Sequence, residues 1–331
     1  MLFSDNIGFK INSTNYLNDY KRGVGILEVI KINNRVIPFG TSSIDKSKKK
    51  VFLKAYNEHL ERTRIGFNTF LNRQICVYDF LNNSSNNISS KLVGYDFNSL
   101  YGFLDTTGSA SGQASEEIIN KSMYELLEKN ELLLFWYNKL GKRVNLTDKV
   151  MKLINDVGLR NDEIHIFTSR NISNAFCFIV VIFEKNKLVS SGISLHINAF
   201  QALENALLEA KLFSKIYRNN IYSPIYGMVE SEHKTVHSYL CSFNKSISFS
   251  EIEEINKTEN KLILSDWIQS IDFVVLNTHK YQKNLTVRCL SKDLIGCLPT
   301  KKNLKKIYNK KIVLYYNVKD FLDKAPNCVI F

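Results

Sequence analysis

Tyr56-Asn57-Glu58-His59-Leu60-Glu61-Arg62 and Tyr124-Glu125-Leu126-Leu127-Glu128-Lys129 share one pattern: two glutamates three residues apart, with a cation directly after the second. Each lies in a stretch that reads as helix. Ser47 to Phe70 has few breakers before Gly66, and Glu116 to about Leu140 follows Ser115, a good N-cap with acids in the first turn. At 100° per residue, Glu58, Glu61 and Arg62 fall within about 100° of one another. Glu117, Glu128 and Glu125 fall at about 0°, 20° and 80°, with Ile118, Ile119, Leu126, Leu127 and Leu133 on the other side. Amphipathic helices put acids on their wet face in any case, so a pair of solvated stripes is one reading. The other is two acidic stripes facing each other across a cleft. Such carboxylates would bind hard divalent cations such as Mg²⁺, which take oxygen ligands and bridge nucleotide phosphates. Carboxylates alone would repel a triphosphate, so that reading needs the metal. Arg62 and Lys129 would then hold phosphate oxygens or tie down the carboxylates. No G-x-x-x-x-G-K-[ST] loop is present, so a nucleotide site here is not of the P-loop kind.

Around these helices the chain of 331 residues has ordinary globular composition, 44% hydrophobic and 23% charged, which excludes a disordered protein. With 14 Gly and 4 Pro, long flexible or polyproline linkers are not expected. Strands are predicted at Val24 to Val36, with Asn33-Asn34 as a turn, and at Ile164 to Phe167, Phe176 to Glu184, Leu285 to Leu290 and Ile312 to Tyr316. Asn198 to Tyr217 reads as helix, Asn82 to Ser90 as a polar loop, and Asp105 to Ser115 as a small-residue loop. The irregular alternation predicts an α+β fold. The longest apolar run, Ala175 to Phe183, suits a buried strand and is too short to span a membrane. The start Met-Leu-Phe-Ser-Asp-Asn has no basic, apolar signal. Cys76, Cys177, Cys241, Cys289, Cys297 and Cys328 form no C-x-x-C pair, so they read as free thiols of a cytoplasmic protein. His165, His196 and His279 read as structural.

The net charge is +12, and from Asp266 onward 12 Lys/Arg stand against 5 Asp/Glu, which places +7 of it there. The densest tract is Lys301, Lys302, Lys305, Lys306, Lys310 and Lys311. It reads as a solvated basic face or as a dock for an acidic partner. An RNA-binding protein is a distant alternative. No zinc-finger, RNP or helix-turn-helix pattern supports it, and such a protein has no need of paired carboxylates.

Here the sequence resembles the YcaO family. Lys54-Ala-Tyr-Asn-Glu58-His-Leu-Glu61-Arg62 looks like that family's Ser-x-x-x-Glu-x-x-Glu-Arg signature. Gly108-Ser-Ala-Ser-Gly-Gln-Ala-Ser-Glu-Glu117 through Tyr124-Glu125-Leu-Leu-Glu128-Lys129-Asn130 looks like the second, a small-residue loop leading into Leu-x-Glu-Leu-Ile-Glu-Arg-Asp. Ser191-Gly-Ile-Ser-Leu-His196 to Ala206-Leu-Leu-Glu209-Ala210 is similar to Gly-x-Gly-x-His followed by Ala-Leu-x-Glu-Ala, and Leu285-Thr-Val-Arg-Cys-Leu resembles the late strand. Order and spacing hold over about residues 20–290. The resemblance implies one YcaO-like domain over residues 1–331, with 291–331 a basic C-terminal segment packed on it. It implies mixed sheets with Glu-bearing helices flanking a central nucleotide cleft. It also implies ATP with Mg²⁺, used to phosphorylate a peptide backbone amide oxygen. Attack by a neighbouring Cys, Ser or Thr then gives an azoline, and attack by external sulfur a thioamide; the azoline is the expected product.

Carried over by motif, the nucleotide-site residues are Glu58, Glu61, Arg62, Gln113, Glu117, Asn120, Glu125, Glu128 and Lys129. Glu58, Glu61, Glu117 and Glu128 are the expected metal ligands, and no catalytic residue is assigned. Lys129 stands where the family has Arg, which keeps charge and loses the planar fork. Lys54 replaces the family's Ser, Leu212 and Ser214 replace a Gln and an Arg, and Pro326 stands alone where azoline-forming members carry P-x-P-x-P. These departures leave open a weakened YcaO-like subunit. The motifs begin within about 50 residues of the start, leaving no room for a leader-binding domain. The expected partners are therefore a precursor peptide substrate, a separate leader-binding protein of ubiquitin-activating type, and a flavin dehydrogenase.

Overall fold

The computed structural model describes residues 9–13, 21–26, 31–32, 35–36, 40–159, 163–217, 225, 227–258, 260–277 and 283–330. The Asn33-Asn34 turn and His279 lie outside them. The chain opens with β1 (Phe9–Ser13), β2 (Lys21–Ile26), β3 (Lys31–Ile32), β4 (Arg35–Val36) and β5 (Gly40–Asp45), then α1 (Lys48–Phe70). Next come β6 (Gln74–Asp79), β7 (Ser84–Ser89), β8 (Asp96–Asn98), β9 (Gly102–Leu104), β10 (Ser109–Gly112) and α2 (Ser115–Asn138). β11 (Lys142–Asn145), α3 (Asp148–Val157), β12 (Glu163–Ser169), β13 (Phe176–Glu184), β14 (Lys187–His196) and α4 (Ala199–Tyr217) follow. The last elements are α5 (Glu230–Cys241), β15 (Ser246–Ser248), α6 (Phe249–Asn256), β16 (Asp272–Val275), β17 (Leu285–Leu290), α7 (Lys301–Leu304), α8 (Lys311–Tyr315) and α9 (Lys319–Leu322). The fold is α+β, as expected.

The chain divides into two units. The first takes the described residues up to Lys129, Trp267–Leu298 and Lys305–Ile312; the second takes Asn130–Asp266, Pro299–Leu304 and Val313 onward.

The first unit holds an antiparallel sheet β1-β2-β5 and an antiparallel sheet β10-β17-β16-β6-β7. β6 alternates buried Ile75 and Val77 with exposed neighbours, the period of a strand covered on one face. Two stretches expected as loops are strands. β7 is a polar edge strand whose pairing with β6 outweighs its weak strand propensity. β10 lies inside the small-residue stretch, where Ser109, Ala110 and Ser111 are buried against β17. Small side chains are required because backbones approach closely. A Cβ on Gly108 would meet Cys289 O at 2.3 Å, and Gly108 has φ +78°, a region that favours glycine.

The second unit is built on the sheet β14-β13-β12-β11-β15, antiparallel except where β11 runs parallel to β15. Phe176 to Phe183 of β13 are all buried, which explains the unbroken apolar run. Phe178, Val180 and Ile182 pack with Ala202, Leu203, Ala206 and Leu207 of α4. A Cβ on Gly192 of β14 would lie 2.2 Å from Ala206 O and 2.4 Å from Ala210 N, so this glycine lets α4 lie on the strand. Glu209 Oε2 accepts from Ile193 N at 2.6 Å. The Gly-x-x-x-His and Ala-Leu-x-Glu-Ala stretches thus join strand to helix by packing and one charge-assisted bond.

Ile312 to Tyr316, expected as a strand, is helix α8 over Lys311–Tyr315. Ile312 and Val313 are buried while Leu314 and Tyr315 are exposed, which is one face of a helix turn and not a period of two. A short apolar run alone does not separate the two cases. No helix among the described residues is long and apolar enough to cross a membrane.

Candidate active site

The acids that the sequence singled out gather in the first unit, on α1 and the first half of α2. α1 turns Val51, Ala55 and Ile65 into the core and carries Glu58, Glu61 and Arg62 beside them. Glu58 Oε1 accepts from Arg62 Nη2 at 2.6 Å, and Glu58 Oε2 accepts from Ser42 N at 3.0 Å. Arg62 Nη1 also donates to Gly40 O. Arg62 therefore ties its glutamate to β5. Lys54, where the family signature has Ser, pairs with Asp45 at 2.9 Å and donates to Ile44 O, a link between α1 and the end of β5.

Glu61 is buried. Its Oε1 accepts from Ser111 N of β10 at 2.7 Å and lies 3.6 Å from Lys121 Nζ of α2. Burial pushes the Glu61 carboxyl up; Lys121 pulls against it, and Glu58 adds to the rise. Glu125, one turn after Lys121, is half-buried and has no hydrogen bond or ion pair among the described residues. Burial first, and the Glu61 charge second, raise it well above the usual carboxylate range; Lys129 and Lys121 oppose this. Glu128 Oε1 is 2.8 Å from the buried Lys129 Nζ, so Lys129 also ties down its glutamate. Gln113, Glu117 and Asn120 stand exposed just before α2 and on its first turns, with no bond or ion pair to the other acids.

Two residues here were not singled out from the sequence. Lys121 has a legible signal, since it sits four residues before Glu125 on the same stripe. Arg288 is a lone cation in the apolar strand β17. It is fully buried and donates to Val93 O at 2.6 Å, Gly94 O at 3.1 Å and Asp105 O. Burial pulls its pKa down to about 10, against the nearby charges of Asp105 and Glu125.

The cations are unevenly shared among the acids. Glu58 has Arg62 and Glu128 has Lys129, whereas Glu61 and Glu125 share the reach of Lys121. Uncompensated carboxylates in a desolvated site take up protons or a cation. Oxygen donors at this density suit a hard divalent ion. Asn57 Oδ1, next to Glu58, is buried with no partner among the described residues. The donor set therefore fits Mg²⁺ and the phosphates it bridges.

A second cluster lies in the second unit. Ligand atoms of His165, His237 and Cys241 fall within 4.8 Å of one another. Both nitrogens of His165 are engaged: Arg143 Nη1 donates to Nδ1 at 2.7 Å, and Nε2 faces Glu163 Oε1 at 2.6 Å. His237 Nε2 meets the same oxygen at 2.9 Å. The cluster is a hydrogen-bonded clasp between β12 and α5, which accords with the structural reading of His165. His196 Nδ1 accepts from Asn198 N at the head of α4. The six cysteines are free, and Cys177, Cys289, Cys297 and Cys328 are buried.

The basic tract is an open face only in part: Lys302, Lys305 and Lys306 are exposed, Lys301 and Lys311 half-buried. Lys310 is buried and donates to Ser291 O and Lys292 O, each at 3.0 Å, with its pKa pulled down to about 8 by burial. Lys311 donates to Trp267 O, and Lys306 Nζ lies 3.9 Å from the Phe103 ring centroid. Much of the tract holds the chain together.

The sequence profile described as YcaO cyclodehydratase, ATP- and Mg²⁺-binding, matches residues 53–222. The chain belongs to the YcaO family. No curated protein matches it by sequence. Among solved structures it is similar to the YcaO protein of Methanopyrus kandleri bound with AMPPCP and Mg²⁺, at TM-score 0.65 and 12% identity, over 88% of this chain and 86% of that one. A heterocyclase in complex with substrate and cofactor matches at TM-score 0.61 and 12% identity, over 87% of this chain and 50% of that one. The microcin synthetase complex McbBCD of E. coli matches at TM-score 0.57 and 14% identity, over 86% of this chain and 88% of that one. These identities establish a divergent YcaO fold. The cofactors of this YcaO protein are ATP and Mg²⁺, and its activity is of the ATP-dependent cyclodehydratase type.

Proposed function

We propose that this chain activates backbone amides of a ribosomally made precursor peptide and closes azoline rings on it, in a complex with a leader-binding partner. The convergence of Glu58, Glu61, Glu125 and Glu128 in one unit supports this most. Glu58, Glu61, Glu117 and Glu128 would hold Mg²⁺, with Glu125 beside them and Gln113, Asn120, Arg62 and Lys129 completing the nucleotide site. ATP supplies the phosphoryl group that turns a poor leaving group, the amide oxygen, into a good one, and Mg²⁺ spreads the charge during transfer. Arg62 holds Glu58 against Ser42 N, and Lys129 holds Glu128, so each carboxylate is oriented in advance. Ser111 N fixes one oxygen of Glu61 and leaves the other for metal. A Cys, Ser or Thr side chain next to the activated amide closes the ring, and the oxygen departs as phosphate.

The relatives come as a heterocyclase with substrate and as a multi-protein synthetase, which supports a peptide substrate and partner proteins for this chain. A cytoplasmic setting suits that chemistry, and a flavin dehydrogenase would act on the azoline. We treat residues 1–331 as one functional domain, since the profile match runs across both units.

The test is mass spectrometry of a precursor peptide after reaction with the whole complex. Wild type should remove one water at a Cys, Ser or Thr. Glu58→Gln and Glu125→Gln should abolish the product while leaving the protein folded. An oxygen-for-sulfur exchange would assign the thioamide branch. Unchanged yield in both variants would make this chain a non-catalytic subunit.

A further inference from the structure

Lys121 occupies an unusual place. It is no part of either glutamate signature, yet its ammonium lies 3.6 Å from Glu61 Oε1, on the helix that carries Glu125 one turn later. Its side chain is 63% exposed, and among the described residues Glu61 is its one ion-pair partner. The neighbouring cations are committed: Arg62 to Glu58 and Gly40 O, Lys129 to Glu128. Among the described residues Lys121 is thus the site cation least tied down, and it stands beside the carboxylate that would take a divalent ion.

We propose that Lys121 is an exchangeable counter-ion: it neutralises Glu61 and its neighbours in the metal-free protein, yields Glu61 to the divalent cation, and then pairs with the polyphosphate. A lysine suits the exchange. Its four-carbon stem swings freely, and its point charge pairs with carboxylate or phosphate oxygen without demanding a planar fork. A cation at Glu61 repels the ammonium, while the arriving phosphates attract it. The electrostatic influence of Lys121 also reaches Glu125 and Glu58, so one side chain moderates three acids.

This rests on the reading of Glu61 as a metal ligand, and the experiment separates the two. Mn²⁺ affinity is measured by calorimetry without nucleotide in wild type, Lys121→Met and Glu61→Gln, and then the affinity for the non-hydrolysable analogue AMPPCP with Mg²⁺. Removing an exposed ion pair worth about 1 kcal/mol should tighten Mn²⁺ binding by about fivefold in Lys121→Met. The same variant should bind the Mg²⁺–analogue complex about fivefold more weakly, for the same size of contact. Unchanged Mn²⁺ affinity in Lys121→Met, with binding lost in Glu61→Gln, overturns the counter-ion role alone. Unchanged analogue affinity overturns the transfer to phosphate. Mn²⁺ binding that survives Glu61→Gln unaltered removes the metal site and the proposal with it. Lys121 is a surface side chain, so circular dichroism should show the variant folded.

Discussion

Replacing Arg288 tests how the strand β17 supports the acid-bearing elements. The guanidinium serves three carbonyls that close around it: Val93 O, Gly94 O and Asp105 O. Arg288→Met leaves them without that donor. At about 2 kcal/mol for each orphaned buried acceptor, the loss is about 6 kcal/mol. Against it stands the relief of a buried charge. The pKa is pulled from 12.5 to about 10, and at 1.36 kcal/mol per pKa unit this returns roughly 3 kcal/mol. The net expectation is a destabilisation of about 3 kcal/mol in urea unfolding, read as a lower midpoint at unchanged slope. Arg288→Lys should not restore it. A compact, strongly hydrated ammonium has no fork to span three acceptors, and its burial costs more. If Arg288→Lys unfolds within about 0.5 kcal/mol of wild type, charge and not the fork is what this site requires, and the reasoning fails.

Gly192→Ala places a Cβ 2.2 Å from Ala206 O and 2.4 Å from Ala210 N, and both are backbone, so α4 must move off β14. Overpacking of this kind costs about 1–3 kcal/mol, and a thermal midpoint equal to wild type would show that the contact can relax freely. The clasp between β12 and α5 makes an acid-sensitive seam. Burial lowers His165 below 6.5, and hydrogen bonds from His237 and His165 lower Glu163 despite its own desolvation. The unfolded chain binds more protons in both cases, so stability falls as pH drops below about 6.5 and continues to fall through the carboxylate range. Stability measured across that range should decline in wild type and lose the upper part of its slope in His165→Phe; an identical slope would place the sensitivity elsewhere.

What the sequence makes legible is what period and local chemistry control. The two glutamate helices, the buried β13 and α4 follow from apolar spacing, and the observed bounds differ little from expectation. β7 and β10 were read as loops because Asn, Ser and Gly disfavour strands locally. β7 pairs with β6 across a short turn and β10 with the distant β17, and pairing decides both cases. α8 was read as a strand because its few apolar residues carry no resolvable period. Glu58, Glu61, Glu125 and Glu128 lie in one unit, while Gln113, Glu117 and Asn120 stand exposed. Lys121 was passed over because a lysine among acids on a helix reads as ordinary surface pairing. The lysine tract reads as a solvated face or a dock for an acidic partner. Charge counts carry no information on burial, and Lys310 inside the fold shows the difference.

The departures from the family pattern bear on whether this chain is a catalyst. They do not fall on the carboxylates. Lys54, in place of Ser, makes an ion pair that fastens α1 to β5. Leu212 is buried, and Ser214 Oγ bonds back to Lys211 O within its own helix, so both do the work of packing α4. Neither offers the amide of a Gln or the charge of an Arg to a nucleotide. The acids, by contrast, keep their spacing; Glu58 and Glu128 have cation partners, and burial raises Glu61 and Glu125. On the proposed reading, a divalent ion would relieve the Glu61 and Glu125 carboxyls that burial raises. The lost polar contacts on α4 then argue for a weaker hold on the nucleotide, and not for a dead enzyme.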